Sequence, residues 1–176
     1  KRVAADHRDD ISEFLPKAPD TKNGKRVALI GAGPSSLTVA NDLMPLGYEV
    51  VIFEKLGEPG GLMRINIPSF RLPASVLDEE VGYILGMGVD IRYNSPVTSM
   101  RELLAQSWDA VFVGSGAPQG KNLDIPGRSE AASNIHIGIE WLASAHFGHI
   151  EHIGERVVII GVGNTAMDCC RTSRRL

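Results

Sequence analysis

The sequence predicts a doubly wound α/β fold built on a parallel sheet, and three observations carry that prediction. Short apolar runs, Arg26-Val27-Ala28-Leu29-Ile30 first among them, alternate along the chain with longer stretches whose apolar residues recur every three or four positions. The first run passes through Gly31-Ala32-Gly33 directly into helical spacing. A run of the same texture, Arg156-Val157-Val158-Ile159-Ile160, leads into a second glycine turn, Gly161-Val162-Gly163, and a second helical stretch. Continuous apolar runs are what strands need when helices cover both faces of a parallel sheet.

The elements follow in order. Residues 1–24 are polar and end in Pro16, Pro19 and Asn23-Gly24, which reads as a linker, with a short helix over residues 9–15 before Pro16. Lys1 is not a natural initiator, so this stretch is expected to join something upstream. Residues 26–30 form the first strand. A helix over residues 34–46 places Leu37, Ala40, Leu43 and Met44 on one side and stops at Gly47. Residues 49–53 form the next strand, completing a βαβ unit. Residues 54–73 are loop-rich, with Pro59-Gly60-Gly61, Pro68 and Pro73. A helix over residues 74–87 precedes Gly88, a strand follows over residues 89–93, a short helix over residues 100–106 and a strand over residues 109–113. Residues 117–133 are rich in turn formers, and a domain boundary is expected in or soon after them. A helix over residues 135–147, a strand over residues 156–160 and a helix over residues 164–175 complete the chain.

Composition excludes several classes. Net charge is −3 with no long basic run, which disfavours a nucleic acid partner. No apolar stretch reaches the ~18 residues that a membrane span requires. The two cysteines, Cys169 and Cys170, are adjacent and fit neither a disulfide framework nor a metal-binding spacing. That usage fits a reducing, cytoplasmic compartment. His146, His149 and His152 stand three apart, but without Cys or carboxylate support they read as a solvated surface before a metal site.

The chemistry lies in the glycine turns. In a Gly-x-Gly-x-x-Gly turn, the first glycine makes the bend and the second lets a pyrophosphate touch the backbone. The following helix turns free N–H groups and a positive dipole end toward the phosphates. Here Gly31 and Gly33 take the first two places, with Pro34 and Ser35 next, and Ser36 stands where a third small residue is needed. Glu54 ends the next strand, 23 residues after Gly31, where a carboxylate can accept from ribose hydroxyls. Gly60-Gly61 lets a second backbone segment approach the same ligand. Two such turns in one chain suggest two nucleotides facing each other, as in a flavoprotein that takes hydride from a nicotinamide.

These motifs, together with Gly60-Gly61-Leu62-Met63-Arg64, Ile67-Pro68-Ser69-Phe70-Arg71-Leu72-Pro73, Met87-Gly88-Val89, residues 109–116 and residues 161–171, run in one order across residues 25–176. In that order the chain resembles the small (beta) subunit of glutamate synthase and its relatives, including the NADPH-to-FAD half of dihydropyrimidine dehydrogenase. The resemblance implies two Rossmann-like domains, with the NAD(P)H domain inserted into the FAD domain. Residues 1–24 would be the tail of an upstream iron–sulfur domain, 25–125 the first segment of the FAD domain, 126–154 an interdomain linker with a helix, and 155–176 the start of the NAD(P)H domain. It implies FAD contacts at Gly31, Gly33, Pro34, Ser35, Glu54, Lys55, Gly61, Leu62, Arg71, Val97 and Gly116. Gly161, Gly163, Asn164 and Thr165 would meet the nicotinamide nucleotide. The expected cofactors are FAD and NAD(P)H, with iron–sulfur clusters only upstream, and the expected partner is an electron-accepting iron–sulfur subunit or domain. No catalytic acid, base or nucleophile is required for hydride transfer, and none is assigned. Where relatives carry Tyr-Gly-Ile-Pro this chain has Ile65-Asn66-Ile67-Pro68, which alters the expected flavin surroundings. Two other readings stay open: a nucleotide-binding or interaction module without turnover, and an NAD-only dehydrogenase with one Rossmann domain.

Overall fold

The computed structural model describes Val3, Asp6, His7 and residues 9–176. Strands β1 (Arg26–Ile30), β2 (Glu49–Phe53), β3 (Asp90–Arg92) and β4 (Ala110–Val113) form one parallel sheet in the order β3-β2-β1-β4. β1 is central: Ala28 pairs with Val51 on one side and Val111 on the other. Ala28 and Leu29 are fully buried, as a strand flanked by neighbours and covered on both faces must be.

The helices are α1 (Pro34–Leu43), α2 (Leu62–Ile65), α3 (Ala74–Leu85), α4 (Met100–Leu104), α5 (Gly138–His146) and α6 (Asn164–Ser173). Pro34 opens α1, where its missing N–H costs nothing. A 3-10 turn over Met44–Leu46 extends that helix to Gly47, whose left-handed backbone (φ 80°) ends it. Ser99 caps α4 by accepting from the Glu102 N–H at 3.3 Å.

The main core packs Leu37, Ala40 and Met44 on the α1 side and Leu77 and Val81 of α3 against Val27, Leu29, Val50 and Ile52 of the sheet. Fully burying one such side chain contributes roughly 1.5–3 kcal/mol. A second, smaller cluster joins Trp141 and Leu142 of α5 to Cys169 of α6, with Ile150, Ile153 and Ile159 around it.

Two sequence expectations are corrected. Residues 156–160 are not a strand: Val158 is 87% and Ile160 75% exposed. A strand exists by pairing, and none of the described residues lies alongside to accept its hydrogen bonds. Residues 9–15 form only a 3-10 turn over Ser12–Phe14, because the Asp10 carboxylate takes the Ser12 N–H at 2.9 Å and offers the backbone an alternative to the helix. Residues 54–73 are loop-rich as expected, with one helical turn, α2, just after Gly60-Gly61.

Candidate functional site

The first glycine turn sits at the carboxyl ends of β1 and β4, the crevice where open α/β sheets bind ligands. Gly31 has φ 87°, and a Cβ there would lie 2.8 Å from the Gly114 carbonyl oxygen, so the bend admits only glycine. Gly33 differs. Its backbone is ordinary extended chain (φ −79°, ψ 175°), and a Cβ there would meet nothing within 4 Å. The fold itself therefore makes no demand for glycine at position 33. The bare Cα leaves an open face at the start of α1, beside Pro34 and Ser35. Ser36 is fully buried and the Gly114 backbone passes directly over it, which explains the small residue at the third place.

Glu54 is 4% exposed, and backbone amides engage both of its oxygens. The Ala32 N–H donates to Oε2 at 2.6 Å and the Leu56 N–H to Oε1 at 2.8 Å. The carboxylate thus ties the end of β2 to the glycine turn, while each oxygen keeps a further acceptor site. Charged hydrogen bonds of this kind contribute about 1.5–3 kcal/mol. Lys55 beside it is exposed.

Gly60 and Gly61 bring the second segment in. The Gly60 N–H donates to the Ala32 carbonyl at 2.8 Å. Gly61 has φ 53°, and a Cβ there would lie 2.9 Å from Gly33 Cα. The two glycine segments are stacked backbone to backbone, with Leu62 half-buried at the start of α2. Val97 is half-buried and lines a cleft of ≈ 240 Å³ with Phe53, Ser95 and Pro96. Gly116 is exposed, with φ 69° and open space beside it.

The second turn repeats the first at its second glycine. Gly161 has positive φ (136°), and Gly163 caps α6 at φ −78°, ψ 176°, again with nothing within 4 Å of a Cβ. Asn164 and Thr165 open the helix and are exposed.

Arg71 lies at the seam between these parts. Its Nη1 donates to Asp168 Oδ2 at 2.5 Å, joining the 54–73 segment to α6. The same seam holds the Phe70 ring under the Arg175 guanidinium (3.9 Å) and the Asn66 side chain donating to the Ile139 carbonyl (2.5 Å).

Sequence reasoning missed two residues. Arg64, 8% exposed, donates to the Pro59 carbonyl and to Asp78, both at 2.5 Å, and lies 3.4 Å from Glu58, so it locks the Gly60-Gly61 segment onto α3. Nearby Tyr93 has its pKa raised by burial, with the Arg64 charge opposing and the Glu54 charge adding to the shift. Asp168, 3% exposed, is the second. A charged residue amid Ala166, Met167 and Cys169 on a helix was the available signal. Burial, and then the Asp168 charge, raises the pKa of the neighbouring Cys169.

His146 lies 4.0 Å from Glu58, and its ring packs edge-on against Phe147. Among the described residues no group of three or more His, Cys, Asp or Glu could hold a metal ion, and no helix is long and apolar enough to cross a membrane.

Comparison with known proteins bears on the same elements. Residues 25–176 match the family model described as pyridine nucleotide-disulphide oxidoreductase. The NADPH-Fe(3+) oxidoreductase subunit beta of Geobacter sulfurreducens is 36% identical over 181 residues, covering 99% of this chain and 27% of that protein. The NAD-dependent dihydropyrimidine dehydrogenase subunit PreT homolog of Salmonella typhi is 40% identical over 163 residues, covering 90% of this chain and 38% of that protein. Glutamate synthase [NADH] of Schizosaccharomyces pombe is 31% identical over 189 residues, covering 99% of this chain and 9% of that protein. The chain thus spans well under half the length of these relatives, which include the kinds of subunit the motifs resemble. In fold, Mycobacterium tuberculosis FprA in complex with NADPH superposes with a TM-score of 0.72 at 24% identity, over 84% of this chain and 36% of FprA. With a parallel Rossmann-type sheet, two glycine turns and a family match across residues 25–176, the chain belongs to the pyridine nucleotide-disulphide oxidoreductase family.

Proposed function

We propose that this chain carries the FAD-binding turn and the opening of the NAD(P)H-binding domain of an oxidoreductase that moves hydride from NAD(P)H to FAD and electrons onward to iron–sulfur clusters or a partner subunit. One observation carries the reading: two glycines, Gly33 and Gly163, hold nearly superimposable backbone at helix starts and are required by nothing inside the chain. A glycine that the fold does not need leaves room for something that does. The backbone opposite a bare Cα at a helix N-terminus suits a pyrophosphate.

On this reading FAD supplies the acceptor that takes hydride as a pair and releases electrons singly. The protein binds and orients. Gly31, Gly33, Pro34 and Ser35 face the FAD pyrophosphate, and the free lone pairs of Glu54 accept from the adenosine ribose next to Lys55. Gly61 and Leu62 close the turn from above, Val97 borders the adenine, and Gly116 lies in the loop after β4 beside the cofactor. Arg71 offers a planar cation to the bound FAD. Gly161, Gly163, Asn164 and Thr165 receive the nicotinamide nucleotide. On the domain scheme above, residues 25–125 and 155–176 belong to the two nucleotide domains, and residues 126–154 link them.

Acid release of the cofactor from the full-length protein, followed by chromatography, tests this: FAD is expected, and NAD alone would sink the flavoprotein reading. A second reading, a nucleotide-binding module with no turnover by itself, is favoured for the 176-residue chain by the exposure of Val158 and Ile160 before the second turn and of Val162 within it. NAD(P)H oxidation by that chain would exclude it.

A further inference from the structure

We infer that Asp168 is a positioning residue of the proposed hydride-transfer centre, holding the Arg71 guanidinium at the seam between the two nucleotide sites. The inference rests on the functional reading above and adds to it a residue on the second domain that acts on the first. Four observations carry it.

The pair spans 97 positions in sequence and joins the 54–73 segment to the helix that begins at the second glycine turn. At 1.5 Å per residue, Asp168 stands about 6 Å along α6 from Asn164. The other end of the 54–73 segment touches the first turn, through Gly61 on Gly33 and the Gly60 N–H on the Ala32 carbonyl. One short stretch of chain therefore contacts the first turn and the helix that follows the second, and the Arg71–Asp168 pair is its charged link.

The stretch is braced at both ends. Arg64 anchors it to Pro59, Asp78 and Glu58, and Phe70 lies against Arg175 next to the pair. A braced segment transmits the position of a side chain rather than absorbing its movement.

The burial is asymmetric. The Asp168 side chain is 5% exposed and that of Arg71 37% exposed. The cation faces open space while its counter-ion is withdrawn from water, so the carboxylate fixes the guanidinium without competing for the ligand it would meet.

The satisfaction is incomplete. Asp168 Oδ2 accepts from Arg71, but Oδ1 is buried without a hydrogen bond, and Arg171 approaches it only to 3.7 Å. An orphan buried oxygen costs free energy, so one kept beside a charged pair calls for a reason beyond stability. Oδ1 keeps room for one further donor, and the Arg171 guanidinium at 3.7 Å stands ready to supply it.

The test uses the FAD-loaded full-length enzyme, mixed rapidly with NADH and, separately, with NADPH. Asp168→Asn is expected to retain its FAD and its melting temperature while flavin reduction at saturating nucleotide slows by about tenfold or more, with KM within about twofold. The charge-exchanged Arg71→Asp/Asp168→Arg variant is expected to regain the melting temperature lost in Arg71→Asp alone, and not the rate. Wild-type reduction in Asp168→Asn, or recovery of rate by the exchanged pair, overturns the inference and leaves the functional reading standing. If Asp168→Asn does not load FAD, Arg71→Lys carries the test, because it keeps the charge and loses the planar fork; a wild-type rate there overturns the inference. A wild-type enzyme that binds no FAD, or is reduced by neither nucleotide, overturns the functional reading and this inference together.

Discussion

At Gly33 the backbone stands at φ −79°, ψ 175°, and at Gly163 at φ −78°, ψ 176°, yet the chain leading into the two turns differs completely. Before the first, β1 is paired on both sides and Leu29 is fully buried. Before the second, a run of the same composition lies unpaired, with Val158 87% exposed. The geometry of a glycine turn and its helix start is local, encoded by a few residues and by Pro34 or Asn164 at the first helical position. A strand is not local: the same Val and Ile residues make one only where neighbours accept its hydrogen bonds.

The largest expected effect that would break this comparison is at Gly33. Gly33→Val should abolish FAD retention by the full-length protein, since the new side chain fills the open face. The melting temperature of the apoprotein should not change, because the backbone there suits any residue. Undiminished flavin stoichiometry would refute the assigned role. Gly163→Val should act on the other site alone, raising the KM for NAD(P)H about tenfold or more with FAD fully bound; loss of FAD instead would mean that the two turns do not serve separate nucleotides. A smaller effect is expected from Glu54→Gln, which puts an amide NH₂ against a backbone donor and should cost about 1–3 kcal/mol. A calorimetric melting point within 1 °C of wild type would show that Glu54 does not tie β2 to the turn. The smallest concerns the second region by itself. In the folded 176-residue chain iodoacetamide should label exposed Cys170 and spare Cys169, which is buried, has a raised pKa and has its thiol against the Gly138 carbonyl. Equal labelling would mean that α5 and α6 do not stay packed.

The contrast also shows what was legible in the sequence. β1, α1 and β2 were, because Gly31, Gly47 and the apolar runs between them each specify one conformation. That Gly60-Gly61 allows a close backbone approach was legible from glycine placed beside Glu54, but not that the backbone it meets is Gly33. The buried staple that Glu54 makes with Ala32 and Leu56 was not legible, since backbone partners leave no trace in side-chain pattern. Arg64 and Asp168 were hidden for a related reason: each acts by pairing with residues distant in sequence or fixed by a loop, and α2, which carries Arg64, is too short to show helical periodicity. Residues 156–160 misled because composition reports what a strand would be made of and not whether a partner is there.

The sheet order has a kinetic consequence. β1 and β2 meet across a short βα link, but β1 meets β4 only after some eighty residues, as the Arg26 N–H to Asp109 bond records across 83 positions. Pairing over that separation is entropically late, because a long loop must close before its contacts reward it. The Gly114 carbonyl that confines Gly31 therefore arrives last. During synthesis, the crevice between β1 and β4 takes shape only after residue 114 has left the ribosome, so anything that binds there follows the pairing of β1 with β2 rather than seeding it.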